Sequence, residues 1–125
     1  KFHHIGIATK DLKSSLEFVQ KNFEVLEVSE EIFDENQNAT LQMIKTKDLN
    51  IELVSGKVVE KLIASKITYY HICYEVEDIY GKIEEFQKNG GAMLVSSVKP
   101  AILFDNRLVA FLMTPLGLVE LLNAN

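Results

Sequence analysis

The chain says much the same thing twice. His3-His4-Ile5-Gly6-Ile7-Ala8-Thr9-Lys10-Asp11-Leu12 is answered 67 positions later by Tyr70-His71-Ile72-Cys73-Tyr74-Glu75-Val76-Glu77-Asp78-Ile79. At that offset His4 meets His71, Ile5 meets Ile72 and Asp11 meets Asp78; further along, Glu17 meets Glu84 and Gln20-Lys21-Asn22 meets Gln87-Lys88-Asn89. The apolar positions between them agree as well: Leu12 with Ile79, Leu16 with Ile83, Val19 with Phe86. Near the end of each half, Ile51-Glu52-Leu53 is answered by Val119-Glu120-Leu121 at an offset of 68, so one residue has been inserted. A period this long, kept across polar and apolar positions alike, marks an internal duplication. Any fold for this chain must therefore be built from two similar modules, each opening with a histidine and closing with a glutamate.

The chain has 125 residues, one domain's length, and each half is too short to be comfortable alone. The expected organisation is a single domain over 1–125: module one 1–55, a connector 56–68 and module two 69–125. A hydrophobic fraction of 47% against 25% charged residues puts the chain with globular rather than disordered proteins. The net charge of −5 comes without a basic run, which speaks against a nucleic-acid partner, because that needs clustered Lys and Arg to replace counterions. No apolar run approaches 18 residues and no signal-peptide pattern stands at the start, so no membrane partner is expected. With Cys73 as the single cysteine there is no intramolecular disulfide framework, and the cytoplasm is the expected compartment.

Phe2 to Thr9 alternates, with Ile5 and Ile7 on one side and His4, Gly6 and Ala8 on the other, the pattern of a strand. Asp11 is a plausible N-cap for a helix carrying Leu12, Leu16 and Val19 and ending near Asn22. Strands are expected over 25–33, 40–45 and 50–54, with a turn at Asp34-Glu35-Asn36-Gln37-Asn38. Val58, Val59, Leu62 and Ile63 give the connector a short helix. Module two repeats the plan: a strand over 69–76, a helix capped by Asp78 and stopped by Gly90-Gly91, then strands over 92–98, 108–113 and 118–122. The fold class is α+β, two tandem βαβββ modules forming an open, barrel-like mixed sheet around a cleft.

In each module the first strand supplies a histidine and the last a glutamate, both on the face opposite the helix-packed aliphatics. If the modules pack about a pseudo-two-fold axis, His4, Glu52, His71 and Glu120 converge. Two neutral imidazoles and two carboxylates would hold one divalent metal near charge balance, with positions left for substrate. Mixed N/O ligation suits Ni, Co, Zn, Mn or Fe and disfavours Ca and Mg, which take oxygen almost exclusively. A single strand histidine is more often a packed or surface residue than a ligand, and His3, which faces away from His4 and is answered by Tyr70, keeps that reading. Glu27 and Glu75 read as solvated. Parity places Gln42 on the cleft face, where it could meet a substrate or solvent. Cys73 lies there too, as a small filler or a substrate contact. Arg107, in the Asn106-Arg107 turn, is either solvated or an anion-binding side chain.

These residues resemble the vicinal oxygen chelate superfamily, which holds glyoxalase I, methylmalonyl-CoA epimerase, extradiol dioxygenases and bleomycin-type resistance proteins. The resemblance rests on His4-Ile5-Gly6-Ile7-Ala8 followed by Asp11-Leu12, on Asn50-Ile51-Glu52-Leu53, on His71-Ile72 with Asp78-Ile79, and on Gly117-Leu118-Val119-Glu120-Leu121. It implies that His4, Glu52, His71 and Glu120 are the metal ligands. It also implies a small-molecule substrate whose neighbouring oxygens meet the metal, and an enolate stabilised there while a carboxylate, Glu120 or Glu52, moves a proton. A homodimer is the family-level expectation.

Within the superfamily the marks divide. The His-Glu-His-Glu pattern is that of bacterial-type glyoxalase I, which has an Arg where this chain has Ala8 and an Asn where it has Gly56. Tyr70-His71-Ile72 and Asp105-Asn106-Arg107 with Val109-Ala110-Phe111 are closer to methylmalonyl-CoA epimerase, which has Gln where Glu52 stands and a Glu near Gln42. The expected function is a metal-dependent lyase or isomerase of this glyoxalase or epimerase type. The alternative is a non-catalytic small-molecule binding or antibiotic-resistance protein using the same cleft.

Overall fold

The computed structural model describes residues 1–125. Strands β1 (Phe2–Ala8), β2 (Val25–Val28), β3 (Ile32–Asp34), β4 (Ala39–Thr46) and β5 (Asn50–Gly56) occupy the first half with helix α1 (Leu12–Asn22). A 3-10 turn (Lys57–Val59) and helix α2 (Glu60–Ala64) follow. The second half has β6 (Tyr69–Val76), α3 (Ile79–Asn89), β7 (Met93–Leu94), β8 (Lys99–Ala101), a 3-10 turn (Ile102–Phe104), β9 (Arg107–Thr114) and β10 (Gly117–Asn123). The α+β class and the repetition of one plan are as the sequence predicts, with four strands after each helix where three are expected. The chain divides into two compact units, His4–Tyr70 and His71–Asn125 joined by Lys1–His3.

In the first unit the strands run in the order β2-β4-β5-β1, with β3 beside β4. β1 and β5 are parallel, pairing Ile5 with Ile51 and Gly6 with Glu52, while β4 is antiparallel to β5. Asp11 begins α1, its carboxylate accepting from the Lys13 amide at 3.1 Å and the Ser14 hydroxyl at 2.6 Å. The Ser14 hydroxyl holds the Asp11 carboxyl below its ordinary value. The 3.6-residue spacing then lays Leu12, Leu16 and Val19 onto Ile44, Leu53, Ile7 and Ile51.

The second unit has the order β6-β10-β9-β7, with β8 on β9. β6 and β10 are parallel, pairing Ile72 with Val119 and Cys73 with Glu120; β9 and β10 form an antiparallel hairpin. α3 sets Ile79, Ile83 and Phe86 against Ala110, Leu112, Val119 and Leu121. Its first amide, Ile79, donates to Asn123 Oδ1 at 2.9 Å, and Gly90 ends it with φ 84°, a region that favours glycine.

Three local expectations need correction. The strand expected over 25–33 is two short ones, because Ser29 leaves the ladder: its amide still donates to Met43 O, and its hydroxyl accepts from Met43 N. The strand expected over 92–98 shrinks to Met93–Leu94, with the chain rejoining β9 only at Lys99–Ala101. Gln42 does not share the face of Glu52. It pairs with Leu53, and Met43 is the residue opposite Glu52. A strand buried on both faces carries no clean polar alternation, and reading its parity one residue out exchanges its faces.

Candidate metal centre

Each unit brings one histidine and one glutamate together by the same local device. In the first, β1 and β5 run side by side in parallel, so Glu52 stands beside Gly6, two residues from His4 on the same face. Gly6 has no side chain to fill the gap, and His4 Nε2 lies 3.6 Å from Glu52 Oε1. In the second, Glu120 stands beside Cys73, two residues from His71, and His71 Nε2 lies 3.0 Å from Glu120 Oε1. A small residue again occupies the intervening place. All four side chains are at most 1% exposed.

The donor chemistry fits a divalent cation. Ligand atoms about 2.1 Å from one ion and 90–110° apart stand about 3.0–3.4 Å from each other, close to both observed separations. A buried carboxylate costs several kcal/mol in lost hydration, on the order that a cation in contact would offset. Within each pair, imidazole nitrogen and carboxylate oxygen are donors of the kind that hold a transition metal.

Around each pair the two units differ. The Phe111 ring meets His71 edge-on, with centroids 5.4 Å apart and an interplanar angle of 84°. The corresponding residue in the first unit, opposite Glu52, is Met43. Phe111 enters the sequence reading only within the Val109-Ala110-Phe111 stretch and not as a site residue, although the 68-residue offset to Met43 marks it. Cys73 lies fully buried on the Glu120 face, as parity expects.

Arg107 begins β9 rather than lying in a turn, and its Nη1 donates to Glu75 Oε2 at 2.7 Å and to the carbonyls of Ala124 at 3.2 Å and Asn123 at 3.4 Å. That hydrogen bond holds the Glu75 carboxyl below its ordinary value. Glu75 is thus half-buried and ion-paired, not solvated. Gln42 is 7% exposed on the helix-packed face and donates from Nε2 to Ser29 O at 3.0 Å. His3 packs edge-on against Phe104, with ring centroids 5.4 Å apart.

No helix is long and apolar enough to cross a membrane. The structure of methylmalonyl-CoA epimerase from Mycobacterium tuberculosis is similar, with a TM-score of 0.84 at 18% identity over 99% of this chain and 87% of that one. A hypothetical protein from Bacillus halodurans C-125 gives a TM-score of 0.79 at 24% identity, over 100% and 94% of the two chains. A glyoxalase/bleomycin resistance protein/dioxygenase superfamily member from Vibrio splendidus 12B01 gives 0.55 at 14% identity, over 98% and 99%. At such identities the likeness is one of fold. No curated protein sequence matches. The family model for the Glyoxalase/Bleomycin resistance protein/Dioxygenase superfamily matches residues 3–111, and the chain belongs to that superfamily.

Proposed function

We propose that this protein is a metal-dependent lyase or isomerase of glyoxalase or epimerase type, which moves a proton at the carbon next to a carbonyl. The observation that carries the reading is the repetition of one buried His–Glu pair, by one strand arrangement, in both units. A duplication that keeps two buried carboxylates keeps a burden on stability, which function explains better than packing does. His4, Glu52, His71 and Glu120 would hold one ion of Ni, Co, Zn, Mn or Fe. The bound metal would act as a Lewis acid on the substrate oxygen where negative charge develops.

The protein's own part is proton transfer. Glu120 is the base in this reading, with Glu52 serving the opposite side of the substrate carbon; each must be ionised and within hydrogen-bond reach of the proton it takes. Cys73, small and beside Glu120, shapes the floor of the substrate site. Arg107 would reach a substrate anion only by leaving Glu75, so its first role is to hold the far end of the same face. The substrate would be a small molecule, either an α-hydroxy carbonyl thioadduct or a 2-substituted acyl thioester. One of the similar structures carries the name methylmalonyl-CoA epimerase, in keeping with the second of these classes. A homodimer working in the cytoplasm completes the reading.

Solvent exchange tests it. Protein reconstituted with each metal is incubated in D2O with a hemithioacetal or a 2-substituted acyl thioester, and the signal of the proton next to the carbonyl is followed by NMR. Metal-dependent loss of that signal, abolished in Glu120→Gln, is the expected result. Tight ligand binding that survives metal stripping, with no exchange, would make the protein a binding or resistance module instead.

A further inference from the structure

Each histidine stands at the head of a row of side chains that crosses its own sheet on one face. His71 lies one register step from the Ile72–Val119 pair, which brings Leu118 beside it; Leu118 pairs with Met113, and Met113 with Met93. Residues directly opposite share a face. Exposure rises outward along this row: His71 is buried, Leu118 half-buried, Met113 47% and Met93 67% exposed. The first unit has the corresponding row with different chemistry. His4 is one step from the Ile5–Ile51 pair and so beside Asn50, which pairs with Lys45, which pairs with Glu27. Lys45 and Glu27 are ion-paired at 3.4 Å. The duplication makes Lys45 and Met113 equivalent positions, as it does Glu52 and Glu120. After duplication one copy carries a polar row and the other an apolar one.

We propose that the substrate carries an apolar arm next to its reacting carbonyl and that Leu118, Met113 and Met93 receive it. The inference rests on the proton-transfer reading above and adds the class of substrate: 2-hydroxyacyl compounds with an aliphatic or aryl substituent. The row begins at a candidate metal ligand, so whatever covers it is continuous with what reacts. From Leu118 to Met93 it spans two strand spacings, about 10 Å, enough for a medium-length acyl chain. Methionine is unbranched and polarisable, and moulds to arms of different shape. The charged groups on this face of the unit lie off the row: Glu120 belongs to the candidate metal centre, Glu75 and Arg107 are bonded to each other, and Lys99 of β8 pairs with Val109 of β9. A charged substituent finds no partner in the row, whereas a hydrocarbon finds three side chains.

The three methionines make the test direct, since Met93 and Met113 lie in the row and Met43 in the first unit. Protein labelled with 13C at the methionine methyls and loaded with zinc is titrated with lactate and with 2-hydroxyoctanoate. The longer acid is expected to shift the Met93 and Met113 methyl signals and to bind at least tenfold tighter than lactate, with about two- to fourfold gained per methylene that reaches full contact. Met113→Lys, and separately Met93→Lys, should bring that affinity ratio towards one. Both residues are exposed, so the variants should fold. Equal affinities in the parent protein, or a ratio that survives both substitutions, would overturn the arm while leaving the proton-transfer reading standing. If neither acid binds the zinc-loaded protein, the arm falls, while the proton-transfer reading is decided separately by the D2O exchange test above.

Discussion

Replacing Arg107 by alanine removes one guanidinium from three acceptors at once: Glu75 Oε2 at 2.7 Å and the carbonyls of Ala124 and Asn123 at 3.2 and 3.4 Å. These contacts fasten the end of β6 to the residues that close β10, the strands that carry His71 and Glu120. Both side chains of the ion pair are 25% exposed. Hydrogen bonds to charged groups contribute about 1.5–3 kcal/mol, and exposed ion pairs under about 1. A quarter-exposed pair with two further carbonyls falls between, at about 2 kcal/mol lost. For a domain of this length that is a fall in Tm of about 6–10 °C. A double-mutant cycle with Glu75→Gln, by urea unfolding at neutral pH, should return a coupling of about 1–2 kcal/mol.

The pair also has a pH signature. Arg107 lowers the folded-state pKa of Glu75 below its unfolded-state value. The stabilisation is therefore complete above the unfolded-state value and is lost as pH falls through the lower, folded-state one. The difference between the parent protein and Glu75→Gln should shrink across that acidic window and nowhere else. A coupling below about 0.3 kcal/mol, or a difference that stays constant on acidification, would refute the reasoning.

Other predictions follow from single contacts. Asp11→Ala removes the cap that accepts from the Lys13 amide and the Ser14 hydroxyl, and should cost about 1 kcal/mol in urea unfolding. Asp78→Ala should cost less, because the Ile79 amide is also held by Asn123 Oδ1. Leu121→Ala opens a cavity at a fully buried position under α3 and should cost about 2–5 kcal/mol. In metal-free protein Glu52→Gln and Glu120→Gln should leave Tm unchanged or raise it, since each removes a buried carboxylate. The same variants should lose at least tenfold in metal affinity by calorimetric titration, so stability and binding would move in opposite directions.

The duplication made most of this molecule legible before any coordinates. Asp11 and Asp78 announced both long helices, and the Ile51-Glu52-Leu53 and Val119-Glu120-Leu121 repeats located the strand that meets the first strand of each module. What remained hidden has physical reasons. β4 is buried on both faces, so its sequence carries no alternation by which to orient Gln42. The residues around Ser96-Ser97 have strand-like neighbours, but only register with β9 decides where pairing holds. Glu75 reads as solvated because its partner, Arg107, is 32 residues away, a separation no local pattern reveals. The divergence of Lys45 and Met113 is visible in sequence only once the register aligns the rows.

The central claim is that His4, Glu52, His71 and Glu120 together hold one divalent metal. Calorimetric titration of metal-free protein with Zn, Ni, Co and Mn, alongside His4→Ala and His71→Ala, tests it most directly. The account predicts one transition metal per four-residue site, bound tightly by the parent protein and at least tenfold more weakly by either variant. Absence of binding by all four metals, or tight stoichiometric binding that survives both substitutions, would contradict it.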